Sequence, residues 1–591
     1  MRVNFKLLVT VVGISSFMFT ITWWSRCDIN KQDNNFFREN HSPDRSSVTD
    51  EFDSKLRFQE RGAKSFQAPL DEGPIDYREI ECLINGEYNI KCRKEGSEVY
   101  MPFSFLQKYF EVYGSVETYD GFERFEFQHS YSSVYQPEDR YTPAGVFMFF
   151  EFYNVEERTR VKCISGAEGV PISIQWSQEG YHYPIQISQY GLSHYSKYLR
   201  EDTPQTLVLM DGSDQYMSHW MLPDSKSQVN LVKNEEKRRN VVEFSTTEKT
   251  SSAGISLTME EKKHLVLTVD CKFLNNGSFT VMVEADTGDM YRLHYVQGNS
   301  LIYSSGKNIY YGIGRNKYKK WIHITRNILV DFRKGLSYKF SKNKKITKKH
   351  SAKITAISFH GQGLLSNVTL ASAAHLEHFY DAADWLVRHQ DDQGGWPIMV
   401  KRNLIPNILE LQPGWYSAMA QGQAMSLLAR AYLKSNDVKY LQSALKAVKP
   451  FEVSSSQGGV KARYANSYDW YEEYPTTPGS YVLNGFIYSL LGLYDLKEIS
   501  QPEDRVTAEK LYSEGLKSLK AMLLMFDTGT GTFYDLRHIT LGISPNRARW
   551  DYHTTHINQL LTLSIIDDDP IFLNTAKRWT DYMKGKWASH N

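Results

Sequence analysis

Ten residues near the C-terminus, Arg547-Ala-Arg-Trp-Asp-Tyr-His-Thr-Thr-His556, hold two arginines, a tryptophan, an aspartate, a tyrosine, two histidines and two threonines. A surface loop has no need of such a density, and a core has no use for so many charges. It suits a cleft that holds a polar, anionic substrate and moves a proton on it. Similar clusters stand at Gly394-Gly-Trp-Pro, Pro413-Gly-Trp-Tyr, Tyr468-Asp-Trp-Tyr-Glu-Glu-Tyr-Pro475 and Tyr534-Asp-Leu-Arg-His538. The sequence contains no nucleophile elbow, P-loop, dinucleotide-binding glycine motif, CxxC pair or HExxH.

Three chemistries fit these residue types. The first is proton abstraction from a carbon next to a carboxylate, as on a hexuronic acid. It needs a base, and cations or hydrogen-bond donors for the charge that builds on the carboxylate. Tyr474 and Tyr552 could act as bases if neighbouring arginines favour the phenolate, and Arg537, Arg547 and Arg549 could neutralise the carboxylate. Proton return to the opposite face gives epimerisation; loss of a leaving group gives β-elimination. The second is glycoside hydrolysis by Glu473 with Asp551 or Asp469. The third is binding alone, with Trp and Tyr stacked on sugars and Arg on acidic groups. Trp396, Trp415 and Trp550 also suit packing, and His553 and His556, three apart at a helix start, also suit a capping or core role.

The elements that position these clusters differ along the chain. Helical spacing recurs over 375–389, 418–434, 440–448, 481–496, 506–526, 555–564 and 571–583, about seven helices. The clusters fall between them, an arrangement expected of an incomplete α/α-toroid whose loops gather at one mouth. Before them, 141–366 carries strand-like runs such as Gln205–Met210, His264–Val269, Ser278–Val283, Arg292–Val296 and Ile354–Phe359, expected to form a β-barrel or sandwich. Residues 76–140 read as β-hairpins around Asn85-Gly86 and Glu95-Gly96, and Gly145–Phe152 reads as a further short aromatic strand. The fold class is therefore multidomain β + α, with the catalytic helical domain at 367–591.

Residues 1–25 give Arg2 and Lys6 before the apolar run Leu7–Trp24, which is long enough to span a bilayer and predicts a single-pass, type II signal anchor with a lumenal body. A polar stem follows at 26–75. Asn40, Asn276 and Asn367 begin sequons consistent with a lumenal glycoprotein, and Cys82 and Cys92 are close enough to bridge a hairpin. The 69 Lys+Arg nearly balance 68 Asp+Glu, which excludes a general nucleic-acid binder, although Lys342–Lys349 is a basic run. Aromatics are 14%, with 38 Tyr and 12 Trp, suited to sugar surfaces as well as to a large β core.

The runs Tyr471-Glu-Glu-Tyr-Pro-Thr-Thr-Pro478, Tyr534-Asp-Leu-Arg-His538 and Ala548-Arg-Trp-Asp-Tyr-His-Thr-Thr-His-Ile-Asn-Gln559 resemble those of the D-glucuronyl C5-epimerase family. So do Pro413-Gly-Trp-Tyr-Ser-Ala-Met-Ala-Gln-Gly-Gln, Gly394-Gly-Trp-Pro-Ile-Met-Val, Val161-Lys-Cys-Ile-Ser-Gly and Tyr183-Pro-Ile-Gln-Ile-Ser-Gln-Tyr-Gly-Leu-Ser-His-Tyr195. The resemblance implies a Golgi type II homodimeric isomerase, possessing no organic cofactor, that converts D-glucuronate to L-iduronate within N-sulfated heparosan during heparan sulfate and heparin biosynthesis. Other Golgi heparan sulfate enzymes are implied as partners. A polysaccharide lyase and a non-catalytic binder of acidic glycans are the alternatives.

The same resemblance implies a catalytic group of Glu473, Tyr474, Tyr534, Arg537 and Tyr552. Tyr552 and either Glu473 or Tyr474 would flank C5, and Arg537 with Tyr534 would hold the carboxylate. The implied chain-binding residues are Tyr141, Tyr153, Arg158, Arg160, Gln175, Tyr183, Gln186, Gln189 and Tyr195, then Asn484, Tyr488, Asn546, Arg547, Arg549, Trp550, His553, Thr554 and Thr555. The loop Lys401–Pro406, which lines the cleft in the family, departs from the family pattern. A structural calcium ion is implied at Asp211, Ser213, Asn240 and Ser366.

Overall fold

The computed structural model describes residues 77–588, except 85, 110–111, 120, 130–131, 248–253, 316 and 340–350. The anchor Leu7–Trp24, the stem, Asn40 and the Lys342–Lys349 run lie outside the described residues. The chain divides into two compact units at Ser132/Ser133.

In the first unit, Arg78–Ile84 pairs antiparallel with Tyr88–Glu95, and Glu98–Tyr100 adds a third strand. Cys82 and Cys92 are joined by a disulfide, with Cα atoms 5.9 Å apart. A second hairpin, Val112–Tyr119 with Phe122–His129, receives the Phe103 ring edge-on against Phe125 at 4.9 Å.

The second unit joins a β-sandwich to a helical domain. One sheet runs Gln228–Asn234, Arg239–Ser245, Gln362–Ala371, Val266–Phe273, Ile322–Asn327, with Thr206–Met210 also on Gln362–Ala371. The other runs Ile255–Glu261, Ala352–His360, Ser278–Ala285, Met290–Val296, Asn308–Gly312, Tyr303–Ser305. In the inner strands alternation buries the facing side chains, so Phe279, Val281 and Val283 meet Val269 and Phe359 in a shared core. Asn276 is exposed at the turn after Val266–Phe273, whereas Asn367 is half-buried within a central strand.

A buried ion pair couples the sandwich to the segment that carries Arg158 and Arg160. Arg326 Nη2 lies 2.6 Å from Asp331 Oδ1, and the same guanidinium donates to the carbonyls of Ile164 and Ser165. Lys334 Nζ donates to the carbonyls of Arg158 and Val161 at 2.7 and 2.8 Å.

The helices His375–His389, Ala418–Ser435, Val438–Lys446, Leu483–Ile499, Val506–Met522, Trp550–Leu563 and Pro570–Met583 follow the expected spacing. Small residues set how closely they pack. A β-carbon on Gly422 would lie 2.5 Å from Ser489 Cα, and one on Gly492 would collide with the Gly422 backbone. Ala418–Ser435 and Leu483–Ile499 thus cross almost backbone to backbone.

Three local expectations are corrected. Pro184–Arg200, inside the run assigned to the β domain, is a helix seated in the helical core beside Phe379 and Leu427, because its apolar residues recur at helical rather than alternating spacing. Gly145–Phe152 is not a strand; it ends in a short 3-10 turn, Phe150–Phe152, with Phe147 and Phe150 buried against Tyr488. The C-terminal cluster does not precede its helix: the helix begins at Trp550, so Tyr552 stands on its first turn.

Candidate active site

The hairpin Lys461–Tyr464/Tyr468–Tyr471 delivers the chain to Glu472 and Glu473. The two acids part company there. Glu472 is fully buried and accepts the Tyr481 N–H at 3.1 Å and the Ser480 hydroxyl at 3.0 Å, closing the loop 472–481 on itself. Its own carbonyl accepts the Ala418 N–H at 2.9 Å, which ties that loop to the start of Ala418–Ser435. Glu472 is thus structural, and it fixes where Glu473 and Tyr474 begin.

Glu473 is 4% exposed, and its Oε2 has no hydrogen-bond partner. The carboxylate rests on Gly485, in the first turn of Leu483–Ile499, where a side chain would leave no room. Burial pushes the Glu473 carboxyl up to about 7; the Tyr474 hydroxyl and the Arg402 charge oppose the rise. Tyr474 is packed among Trp415 at 5.8 Å and Trp176 at 6.3 Å between ring centres, with the Arg402 guanidinium 5.6 Å from its ring. Burial, reinforced by Glu473, pushes its phenol well above the ordinary tyrosine value.

Tyr534 and Tyr552 are brought together by pairing of two connecting segments. The Tyr534 N–H donates to Asn546 O and the Ala548 N–H to Thr532 O, both at 2.8 Å. This sets the Tyr534 ring edge-on to Tyr552 at 4.8 Å. Burial pushes the Tyr552 phenol up to about 12, against the charges of Arg160 and Arg549. The expectation that arginines would favour the phenolate is therefore corrected: desolvation wins, and both tyrosines rest protonated. Glu473 acts electrostatically on Tyr474, Tyr534 and Tyr552, and Tyr552 on both other tyrosines, so the four belong to one cluster.

Arg537 begins the short helix Arg537–Leu541, and its Nε lies 3.3 Å from Asp535 Oδ2. Asp535 also accepts Asn546 Nδ2 at 2.7 Å. Arg537 and Asn546 are thereby both engaged with that carboxylate.

A second wall comes from the segment before the sandwich. Arg158 donates to Gln189 Oε1 at 3.0 Å and stacks over Tyr153 at 4.2 Å. Arg160 lies 3.4 Å from Gln175 Oε1, and its Nε is buried without a partner. Tyr183 packs on Trp176 at 5.2 Å and feels both Tyr474 and Glu473, while Tyr488 feels Tyr153, Arg158 and Tyr552. Gln186 is buried with both amide atoms unpartnered, and Asn484 Oδ1 is also unpartnered. Buried amides left open in this way are ready to hydrogen-bond a hydroxyl-rich ligand. Beyond Tyr552, Arg547, Arg549 and Trp550 line a cavity of about 460 Å³ with Thr530, Tyr582 and Trp587.

Several residues expected to bind the chain are otherwise occupied. Tyr141 donates to Asp495 at 3.0 Å, inside the fully buried pair of Asp495 with Arg430 at 2.8 Å. Tyr195 donates to Ala144 O and packs on Phe379. His553 uses both ring nitrogens, on Thr532 Oγ1 and Trp579 O, each at 3.0 Å, and Thr532 also meets His556. Thr554 and Thr555 turn their hydroxyls back to the carbonyls of Trp550 and Asp551. Each of these five side chains has a partner within the protein, as polar groups in an interior generally do, and His553 also lines the cavity beside Arg549 and Trp550.

The residues expected to hold calcium also meet a different partner. Arg239 donates to Ser366 O at 2.6 Å and to Ser366 Oγ at 2.7 and 3.1 Å, and its charge acts on Asp211. Asp211 Oδ1 accepts the Ser213 N–H at 2.9 Å, and Gly212 abuts the Asn240 carbonyl. Asp211 alone brings a formal charge, and a guanidinium already holds the Ser366 oxygens. Calcium needs 6–8 oxygen donors; as placed, these residues fit the guanidinium and not the ion.

The structure adds Arg402, Trp176 and Trp415 to the neighbourhood of Tyr474. Trp415 stood in a cluster singled out from sequence. Arg402 lay in the loop Lys401–Pro406, which lines the cleft in the family but departs here from its pattern, and Trp176 stood in no cluster, so neither drew a role from the sequence.

Residues 390–581 match the family described as D-glucuronyl C5-epimerase C-terminus, and residues 238–362 match its beta-sandwich domain. The chain is 38% identical over 558 residues to a D-glucuronyl C5-epimerase of Caenorhabditis elegans, covering 87% of this chain and 90% of the relative. It is 34% identical over 208 residues to an uncharacterized protein of Methanocaldococcus jannaschii, covering 35% of this chain and 64% of that protein.

Proposed function

The chain belongs to the D-glucuronyl C5-epimerase family, and on that footing we propose that it inverts C5 of D-glucuronate with Glu473 as the resting base and Tyr552 as the resting acid. One observation carries the assignment of roles. A single buried cluster holds a carboxyl pushed up to about 7 and a phenol pushed up to about 12. Burial raises both, yet the carboxyl still gives up its proton far more readily than the phenol, so the two suit opposite halves of a proton transfer.

The Glu473 carboxylate takes the C5 proton. The electron pair of that C–H bond spreads into the uronate carboxylate as an enediolate. It returns to C5 as the Tyr552 O–H delivers its proton to the opposite face. The protonated Glu473 and the Tyr552 phenolate then re-equilibrate through water, or run the step in reverse. Tyr534 donates toward the developing charge, and Arg160 lies close enough to favour the Tyr552 phenolate. Acid–base transfer of this kind contributes about 10²–10⁴-fold each way.

The substrate is assigned as N-sulfated heparosan, whose acidic units suit the wall of Arg158, Arg160 and the Arg547–Arg549 cavity. A homodimer, association with other Golgi heparan sulfate enzymes, and anchoring in the Golgi membrane through Leu7–Trp24 complete the reading; the apolar run supports the last of these. Incubation with N-sulfated heparosan in deuterated water tests the reaction. Deuterium at C5 with no unsaturated uronate is the expected result. An unsaturated product would replace the epimerase by a lyase, and absence of exchange would leave binding alone.

A further inference from the structure

Arg402 begins the strand Arg402–Ile405, paired antiparallel with Leu409–Leu411, and Trp415 fastens this hairpin by donating to Val400 O at 3.0 Å. Its guanidinium carbon lies 5.0 Å from the Trp176 ring centre and 5.6 Å from that of Tyr474. Trp176, Trp415 and Tyr474 are mutual neighbours, at 6.0, 5.8 and 6.3 Å, so the cation sits against an aromatic corner. Its hydrogen bonding is sparse. Nη1 donates to the neighbouring Asn403 carbonyl at 2.9 Å, and Nε is buried with no partner. Among the described residues no carboxylate pairs with it at salt-bridge distance, whereas Arg537 is engaged by Asp535 at 3.3 Å.

A guanidinium held this way is positioned by ring faces rather than by an acid. Its charge is left for the acid that is hydrogen-bonded to Tyr474, and Glu473, on which the Arg402 charge acts, is that acid. We propose that Arg402 is a positioning residue for proton transfer, acting through the Glu473–Tyr474 pair: pinned in its aromatic corner, it sets a fixed positive charge beside the pair and steadies it as the proton moves. Burial alone works against a buried carboxylate serving as a base, so this cation decides how acidic a medium the enzyme tolerates. The physical trend agrees, since the Arg402 charge lowers both Glu473 and Tyr474 against burial.

The inference rests on the epimerase reading, and the test separates the two. C5 exchange with N-sulfated heparosan is measured from pH 5 to 9 for the wild type, Arg402→Met and Arg402→Lys. Loss of the cation raises Glu473 further, so its ionised form is lost at higher pH. For Arg402→Met the acid limb of kcat is expected to move up by about one pH unit. At pH 6 kcat should then fall about tenfold, with KM changed less than threefold. Arg402→Lys keeps a charge and should recover most of the acid limb, which a purely structural role would not predict. An unmoved acid limb in Arg402→Met, or a loss confined to KM, would overturn the inference. If Arg402→Met does not fold, Arg402→Gln, which keeps much of the side chain's reach without its charge, decides: an acid limb moved up supports the role, and a wild-type acid limb with reduced stability alone supports packing and overturns it. Absence of C5 exchange in the wild type would instead sink the epimerase reading itself.

Discussion

The Glu473 carboxylate rests on Gly485: a β-carbon added there would lie 2.5 Å from Oε2. The glycine therefore has a spatial reason, independent of backbone freedom. Gly485→Ala gains about 1 kcal/mol of helix propensity and must push Glu473 aside. C5 exchange is expected to fall at least tenfold, with Tm within a few degrees of wild type. Full activity in this variant would mean that the carboxylate position does not matter, and would count against Glu473 as the base.

Burial of Glu473 should also be visible in stability. Its folded value of about 7 lies above the ordinary 4.5, so the folded state retains a proton that the unfolded state releases between them. Stability is then present in full below the unfolded value and falls as pH rises toward 7. Glu473→Gln removes that dependence. At pH 8 it should be more stable than wild type by roughly 2–3 kcal/mol, and at pH 4 equal to it. Chemical denaturation at the two pH values measures the difference, while C5 exchange is lost at both. A variant equally stable at pH 8 and wild type there would contradict the burial argument.

Tyr552→Phe keeps the ring against Tyr534 and removes the proton that is to reach the second face. Inversion, followed by NMR of the uronate products, should drop about 10³-fold, within the range of lost acid–base catalysis. Affinity for N-sulfated heparosan should change less than threefold. A comparable loss of affinity would make the hydroxyl a binding contact.

Local patterns carried the helices and most strands, because their apolar spacing is a property of single segments. Pro184–Arg200 is a helix that the sequence places inside the β domain, since it sits between stretches of β texture that outweigh its own helical spacing. Within the site, Glu473, Tyr474, Tyr534 and Tyr552 come from motifs dense enough to be noticed. Arg402 does not, because its role arises from Trp176, more than two hundred residues earlier in the chain. Tyr141 and His553 show a limit of the opposite kind: their residue types suit a sugar, and only the fold reveals Asp495 and Thr532 as their partners. The protonation of the tyrosines was misjudged for the same cause, since burial is not written in a motif.

Tyr141 offers a direct check of which role prevails. Its hydroxyl serves Asp495 within the Arg430 ion pair, where all three groups are buried. Tyr141→Phe should lower stability by about 1–2 kcal/mol and leave KM unchanged. Arg430→Met, which strands Asp495, should cost about 3–5 kcal/mol. A raised KM in Tyr141→Phe, at unchanged stability, would return this residue to the chain-binding set.

The Arg239–Ser366 contact makes a prediction about metal. If the guanidinium holds the Ser366 carbonyl and hydroxyl, the strands Arg239–Ser245 and Gln362–Ala371 already have their cation. Chelation should then shift Tm by less than about 1 °C, because no ion is released from the folded state. Arg239→Ala should cost about 1–3 kcal/mol, since it leaves buried oxygens of Ser366 unpaired. A drop of several degrees on chelation, restored by added calcium, would show that the ion displaces Arg239 and that Asp211, Ser213, Asn240 and Ser366 hold it instead.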